Sequence, residues 1–212
     1  MSRGRIIVIE GADASGKTTL GDRLSKVLGK AHRIHLRVHK RLPMWQYAAI
    51  RRAIRFSERG EHTIIDRHFI SEQIYAAVFR GGVEGYMNAY NMDQHKLLYE
   101  AGATYVLCTS PDTAESYERY MEHARKRDEW FGEDERMYNV IQKYWQLWNG
   151  ASEDELVCPT KPMRGFHSFI DLLTMNHGVK DHPNWVRNIH MDPRTIESIL
   201  NAPHKKRNEY SK

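Results

Sequence analysis

The sequence predicts an α/β protein with a central, mostly parallel β-sheet flanked by helices, because two features recur along the chain. Short runs of β-branched residues alternate with longer stretches whose apolar residues recur at helical spacing. Strands that alternate with helices in this way form βαβ units and a parallel sheet. The first run, residues 6–9, contains only Ile and Val, which is typical of a strand buried on both faces.

The individual elements follow from the same two patterns. Residues 5–10 form the first predicted strand, and the helix after the glycine-rich loop, Lys17–Gly29, has Leu20, Leu24 and Leu28 on one face. Next come a strand at Arg33–Val38, a helix at Trp45–Phe56, a strand at Thr63–Ile65, helices at Phe69–Phe79 and Met92–Ala101, a strand at Thr104–Cys108, and helices at Thr113–Glu122 and Met137–Trp148. A charged segment, His123–Arg136, separates the last two helices.

The chain is expected to divide at about residue 150. Residues 1–150 contain the regular alternation and should form the core, and residues 151–212 should complete or decorate it. In this extension we expect helices at Phe166–Met175 and Arg194–Leu200, a last strand near Ile189–Met191, and a solvated tail.

Composition narrows the function classes. The 212 residues carry a net charge of +5, with 41% hydrophobic and 28% charged residues, which excludes a disordered or fibrous chain. No apolar run approaches the roughly 20 residues of a membrane helix, and a strand pattern starts near Met1, so we expect no signal peptide. The two cysteines do not build a disulfide framework, and we therefore expect a cytoplasmic location. The basic balance favours a phosphate-bearing ligand.

The glycine-rich loop matches the pattern G-x-x-x-x-G-K-[ST] at every defined position. Glycines let backbone N–H groups point at phosphate oxygens, and the N-terminus of the next helix adds the positive end of its dipole. The lysine of such a P-loop reaches the outer phosphates, and the hydroxyl that follows binds Mg²⁺. We therefore predict an ATP site formed by Gly11, Ala14, Ser15, Gly16, Lys17, Thr18 and Thr19.

A second motif, Asp66-Arg67-His68-x-x-Ser71-x-x-x-Tyr75, follows the third predicted strand. Together with Ile9-Glu10-Gly11-x-Asp13-x-x-Gly16-Lys17-Thr18-Thr19, it resembles the thymidylate kinase family or, more broadly, the deoxynucleoside monophosphate kinases. The resemblance covers residues 4–148. It implies the P-loop kinase fold with a lid segment, and phosphoryl transfer from ATP to a deoxynucleoside monophosphate with Mg²⁺ as cofactor.

The resemblance also implies how the acceptor binds. Asp13 would accept a hydrogen bond from the sugar, and Arg67 would hold the acceptor phosphate. Arg41 would lie near the same phosphate, because Arg41-Leu42-Pro43 is similar to the R-x-P segment of the family. Further substrate contacts are expected from Ser71, Tyr75, Trp45 and Glu72.

On the donor side, the resemblance implies that Asp66 lies with Thr18 beside the Mg²⁺. Some members of the family place an arginine inside the P-loop, and this chain has none there, so an arginine of the lid is required. Arg125, Lys126 and Arg127 lie in the expected lid region, at about residues 122–136. We therefore expect catalysis by Lys17, Asp66, Arg67, Arg125 and Arg127.

The charge pattern around the acceptor independently favours a phosphate. An acceptor phosphate is mostly a dianion at pH 7, so it needs neutralisation and placement rather than a general base. A sugar hydroxyl would instead need a carboxylate. The segment Arg37–Arg41 after the second strand is basic, and no acid stands between Arg33 and Phe56. A monophosphate acceptor is therefore favoured.

The chain departs from the family where the base should be recognised. It has room for one helix between Pro43 and Asp66, where the family usually has two, so counting does not assign the base contact; Trp45, Gln46, Tyr47 and Arg51 are candidates, although aromatic residues at helical spacing more often belong to the core. Glu72 stands where the family often has a smaller or amide residue. Its extra acceptor would suit a base other than thymine, or a modified one.

Two other functions remain open from the sequence. One is a P-loop kinase that phosphorylates a hydroxyl of a nucleoside or of a nucleotide in DNA, since the arginines of residues 51–55 would suit a polymer backbone. The other is a nucleotide-binding switch, although the chain has no clear DxxG switch pattern. Members of the family are often dimers, so a homodimer is a further expectation.

Overall fold

The computed structural model describes residues 3–36, 42–80, 94, 96–110, 112–127, 135–149, 185–188 and 194–202. Residues 96–100 are helical. The other elements are β1 (Ile6–Gly11), α1 (Lys17–Val27), β2 (Ala31–His35), α2 (Leu42–Glu58), β3 (His62–Asp66), α3 (Phe69–Phe79), β4 (Thr104–Cys108), α4 (Thr113–Arg127), α5 (Arg136–Asn149), β5 (Trp185–Asn188) and α6 (Arg194–Asn201).

The strands form one sheet in the order β2-β3-β1-β4-β5, and every pairing is parallel. The predicted α/β class with a parallel sheet flanked by helices is therefore confirmed. Side chains of α2, α3, α4 and α5 pack together against one face of the sheet, and those of α1 and α6 pack against the other. The loops that follow β1 and β3 leave the sheet at its carboxyl edge, where α/β proteins place their ligands.

Several predicted boundaries are wrong. β2 begins two residues earlier than expected and ends at His35 rather than Val38. α4 continues to Arg127, through about the first third of the charged segment predicted as a connector. Helical spacing persists there, because Tyr120 and Ala124 are buried one turn apart. The start of this helix was predictable, since the Asp112 carboxylate accepts the Ala114 backbone N–H at 2.8 Å as an N-cap.

The described part of the C-terminal extension adds to the core. β5 pairs with β4, although the strand was predicted a few residues later, at 189–191, which lies outside the described residues. The helix α6 buries Ile199 against α1 and the central strands. The Arg5 guanidinium donates to the carbonyls of Ile199 and Ala202, both at 3.3 Å, and so caps the C-terminal end of α6. The predicted helix Phe166–Met175 lies outside the described residues.

Candidate active site

The P-loop connects β1 to α1 with the backbone conformation that its glycines permit. Gly11 has φ +147°, and a Cβ there would lie 2.4 Å from the Cys108 carbonyl oxygen, so no other residue fits. Gly16 has φ +84° and immediately precedes α1, which begins at Lys17. No acidic residue stands in the first turn of α1. The unpaired N–H groups of this helix end therefore face a loop suited to an anion.

Lys17 lies inside this loop rather than on the surface. Its ammonium donates to the Ala12 carbonyl and lies 3.4 Å from the Ser15 hydroxyl, and the residue is 7% exposed. Burial, together with the positive charge of Arg67, lowers its pKa to about 8, although the charges of Asp13 and Asp66 act in the opposite direction. Thr18 and Thr19 are exposed at the start of α1.

The second motif begins where β3 ends. Asp66 is the last residue of β3 and pairs with Ile9, two residues before Gly11 in the neighbouring strand. Arg67 has φ +65°, a conformation that non-glycine residues seldom adopt, and its backbone N–H donates to the Ile9 carbonyl at 2.9 Å. This strained turn directs the Arg67 side chain back towards the P-loop.

Three predicted substrate residues meet at that point. The Arg67 guanidinium forms an ion pair with the Asp13 carboxylate, and the Tyr75 hydroxyl donates to the other Asp13 oxygen at 2.8 Å. The guanidinium also lies 5.1 Å from the centre of the Tyr75 ring. Burial alone would raise the pKa of Asp13, but the charges of Arg67 and Lys17 outweigh it, and the pKa lies below its ordinary value. Burial raises the pKa of Tyr75, so its hydroxyl stays protonated.

Ser71 belongs to a buried layer beneath this cluster. Its hydroxyl donates to the Glu10 carboxylate and lies 2.8 Å from the Tyr144 hydroxyl. The other Glu10 oxygen accepts the His68 backbone N–H at 2.9 Å. Glu10 is fully buried, and burial raises its pKa to about 7, although the Ser71 hydrogen bond and the charge of Arg67 lower it. We assigned no role to Glu10 from the sequence, and its polar position in an apolar strand was the available signal.

Asp66 fits the metal-binding role expected for it. One of its oxygens lies 3.1 Å from His35 Nδ1, and the other is buried with no hydrogen-bond partner among the described residues. A buried carboxylate oxygen normally has a partner, so this atom is available to a cation. Hard oxygen ligands are those that Mg²⁺ prefers. Asp66 and the exposed Thr18 hydroxyl are the groups that would hold it.

The helix α4 contributes residues that we did not predict. A cleft beside the P-loop is lined by Asp13, Ala14 and Ser15 on one side and by Ser110, Ser116 and Arg119 on the other. His123, one turn after Arg119, lowers the pKa of Asp13 by its charge. Residues 116, 119 and 123 share one face of a helix, which identifies the face of α4 that is turned to the P-loop.

Of the predicted lid arginines on α4, Arg125 lies away from the face that is turned to the P-loop. Arg125 is exposed and does not line the cleft. Arg127 is the last residue of the helix, its side chain is outside the described part, and residues 128–134 of the predicted lid are outside it too. The helix face turned to the P-loop therefore carries Arg119 rather than Arg125.

The candidates for base recognition on α2 differ in how far their side chains are exposed. Trp45 is 59% exposed, whereas Gln46 is 1% exposed and has a buried side-chain oxygen with no hydrogen-bond partner in the described part of the chain. Glu72 forms an ion pair with Arg80 at 2.6 Å, and burial raises the pKa of Glu72. Arg41 lies outside the described residues.

Comparison with known proteins adds three structures at low sequence identity. The YorR protein of Bacillus subtilis, solved with phosphorylated GDP, is 21% identical over 66% of this chain and 77% of its own, with a TM-score of 0.47. Thymidylate kinase from Candida albicans is 18% identical over 69% and 76%, with a TM-score of 0.43. Deoxyadenosine kinase from M. mycoides, with bound dATP, is 15% identical over 92% and 97%, with a TM-score of 0.49.

A thymidylate kinase is thus among the solved structures to which the chain is similar. All three TM-scores are below 0.5, so the function has to be inferred from the site itself. No protein-family model matches the chain, and no curated protein matches it either. None of the described helices is long and apolar enough to span a membrane.

Proposed function

We propose that this protein is an ATP-dependent kinase that phosphorylates a deoxynucleoside monophosphate, thymidylate or a modified pyrimidine analogue, to the diphosphate. The single observation that supports it best is the position of Arg67. A strained turn holds its guanidinium against Asp13 of the P-loop, beside the buried Lys17. Two cations around one phosphate cradle suit a reaction between two anionic reactants.

The position of each residue in the site supports a separate role for it. The P-loop amides and Lys17 would bind the outer phosphates of ATP, and Arg67 would hold the acceptor phosphate, with Asp13 and Tyr75 towards its sugar. Neighbouring charges keep the pKa of Arg67 above its ordinary value despite burial, so the guanidinium stays charged. The Mg²⁺ held by Asp66 and Thr18 would neutralise charge on the ATP phosphates. Because the acceptor is already an anion, no side chain has to remove a proton from it.

Phosphate binding requires two contacts to change. The cleft beside the P-loop has a volume of about 20 Å³, which is enough for one water molecule. The Lys17 ammonium, which donates to the Ala12 carbonyl, has to turn at least one of its three N–H donors to a phosphate. Arg67 has to share its guanidinium between Asp13 and the acceptor phosphate, and its several N–H donors make this feasible.

A coupled measurement of ADP release over a panel of acceptors tests the proposal. We expect turnover with one or more pyrimidine deoxynucleoside monophosphates, and little with thymidine, other nucleosides or single-stranded DNA. The Arg67→Ala variant should raise the KM of the acceptor by about 10²-fold or more, with a smaller effect on the KM of ATP. Arg23→Ala, an exposed arginine on α1, is the matched control. An unchanged acceptor KM in Arg67→Ala would show that the acceptor is placed wrongly.

Transfer to a nucleoside or to DNA would favour the alternative, a kinase that acts on a hydroxyl. Slow ATP hydrolysis without transfer to any acceptor would favour a nucleotide-binding switch. Gel filtration with light scattering tests the expected homodimer, which no contact in the described structure addresses.

A further inference from the structure

The outer surface of α2 carries a cluster of arginines that the proposed kinase reaction does not use. Four exposed arginines line an open groove of about 610 Å³ together with Tyr47 and Phe56, and we call this groove the α2 groove: Arg51, Arg52, Arg55 and Arg59. None of the P-loop residues and none of the Asp66-Arg67 turn lines it, whereas Tyr47 and Arg51, two of the four candidates for the base contact, do. Its volume lies within the roughly 300–1,000 Å³ of ligand clefts.

Among the described residues, no acidic side chain neutralises the positive charge of the α2 groove. Within the part of the chain that the structure describes, none of the four guanidinium groups forms an ion pair, and no acidic side chain lines the groove. The one acid of α2, Glu58, lies 3.9 Å from Arg3, and Glu61 pairs with His32. The positive charges of an exposed arginine cluster repel one another when acidic partners are absent, and a bound polyanion would offset this repulsion.

The aromatic rings of the groove hold two of the guanidinium groups. Arg51 lies 5.7 Å from the centre of the Tyr47 ring, and Arg52 lies 5.2 Å from that of Phe56. Phe56 is in turn stacked on His32 at 3.6 Å. Tyr47 is 37% exposed, so part of its ring is accessible to a base. Interleaved arginines and accessible rings are typical of surfaces that bind single-stranded nucleic acid by backbone contacts and stacking.

We propose that the α2 groove binds single-stranded nucleic acid, as a site separate from the phosphoryl-transfer site. Arg51, Arg55 and Arg59 follow one another at intervals of four residues, about 6 Å along the axis of a helix. A row of this kind matches a repeating chain of phosphates better than the phosphates of one nucleotide. A second copy of this chain is a poor occupant, because a two-fold contact would place the arginines against the same arginines.

Fluorescence anisotropy with a labelled single-stranded oligonucleotide, longer than the roughly 4–16 nucleotides of such sites, tests the proposal. We expect binding whose affinity falls with salt, and a double variant, Arg55→Gln with Arg59→Gln, should lower the log–log salt slope by about 1.4. The charge-matched control is Arg23→Gln with Lys26→Gln, two exposed residues of α1 on the other face of the sheet. It should leave the slope and the affinity close to those of the unaltered protein.

Two further binding measurements identify the class of ligand. Tyr47→Leu should weaken binding of the oligonucleotide but not of inorganic polyphosphate, because only the oligonucleotide offers bases for stacking. A duplex of the same sequence should bind more weakly than the single strand. Equal effects of the α1 and α2 double variants, an unaltered oligonucleotide affinity in Tyr47→Leu, or preference for the duplex would each overturn the proposal.

The outcome is independent of the proposed kinase function. Arg55 and Arg59 do not belong to the candidate active site, so their double variant should keep its turnover with a free monophosphate. Far-ultraviolet circular dichroism checks that α2 remains folded, which we expect because both side chains are exposed.

Discussion

At the scale of single residues, the burial of Lys17 makes its charge sensitive to pH in the free protein. With a pKa of about 8, its ammonium is charged at neutral pH, and the charge is lost as the pH rises through that value. Bound phosphates would raise the pKa again, because an adjacent negative charge favours the charged form. The binding of ATP and the proton of Lys17 are therefore coupled.

This coupling predicts a pH profile. The kcat/KM for ATP, which reports on the free enzyme, should fall above about pH 8, and kcat should fall less over the same range. Lys17→Ala should lower kcat by about 10²–10³-fold, because it removes charge stabilisation of the transition state. Lys26→Ala, an exposed lysine of the same helix, should leave the profile unchanged. A profile in Lys17→Ala that still falls at pH 8 would assign the ionisation to another group.

Glu10 predicts a pH dependence of stability. Its pKa is raised from 4.5 to about 7 by burial, so the folded state binds the proton more tightly than the unfolded state does. The contribution of this proton to the free energy of unfolding is fully present below pH 4.5 and is lost as the pH rises to about 7. The loss is about 3 kcal/mol at most.

Urea unfolding of the protein and of Glu10→Gln at about pH 5 and about pH 8 measures that loss. Glutamine keeps an oxygen for the His68 N–H and does not titrate, so the variant should become more stable relative to the unaltered protein as the pH rises. Glu58→Gln, with an exposed carboxyl, is the control and should show no such change. Parallel stabilities of the protein and Glu10→Gln at both pH values would contradict the prediction.

At the scale of elements, α4 illustrates how far the sequence predicts the site. The P-loop and the Asp66-Arg67 turn lie at the ends of buried strands, where short-range patterns determine the backbone, and both were placed from the sequence. The rotation of α4 about its axis depends on packing against α5 and the sheet. That packing turns Ser116, Arg119 and His123 towards the P-loop, and local spacing could not indicate it.

The rotation of α4 leads to a prediction about Arg119. If Arg119 stabilises the transferring phosphoryl group, Arg119→Ala should lower kcat by about 10²-fold or more, and Arg125→Ala should have a much smaller effect. Steady-state kinetics with saturating ATP and acceptor distinguishes the two variants. A larger loss in Arg125→Ala would show that the lid arginine expected from the family resemblance is the catalytic one.

At the scale of the whole molecule, both halves of the site, the P-loop and the turn after β3, depend on the same three central strands. β1 carries Glu10 and leads into the P-loop, β3 ends at Asp66, and β4 supplies the carbonyl against which Gly11 packs. Apart from the P-loop and the turn after β3, the residues that join the two halves come from distant positions, such as Tyr144 on α5. Contacts of this kind depend on tertiary packing, and the sequence alone did not predict them.

Because the two binding halves share one sheet, each ligand should stabilise the whole protein. At about 100 times its Kd, a ligand that binds only the folded state adds about 2.7 kcal/mol to the free energy of unfolding. We therefore expect ATP with Mg²⁺, and separately the acceptor monophosphate, to raise the Tm. Lys17→Ala should abolish most of the ATP effect and keep the acceptor effect, and Arg67→Ala should do the reverse. Differential scanning calorimetry measures both. If Arg67→Ala lost the two effects together, the guanidinium would be a structural link between the halves and not the group that binds the acceptor.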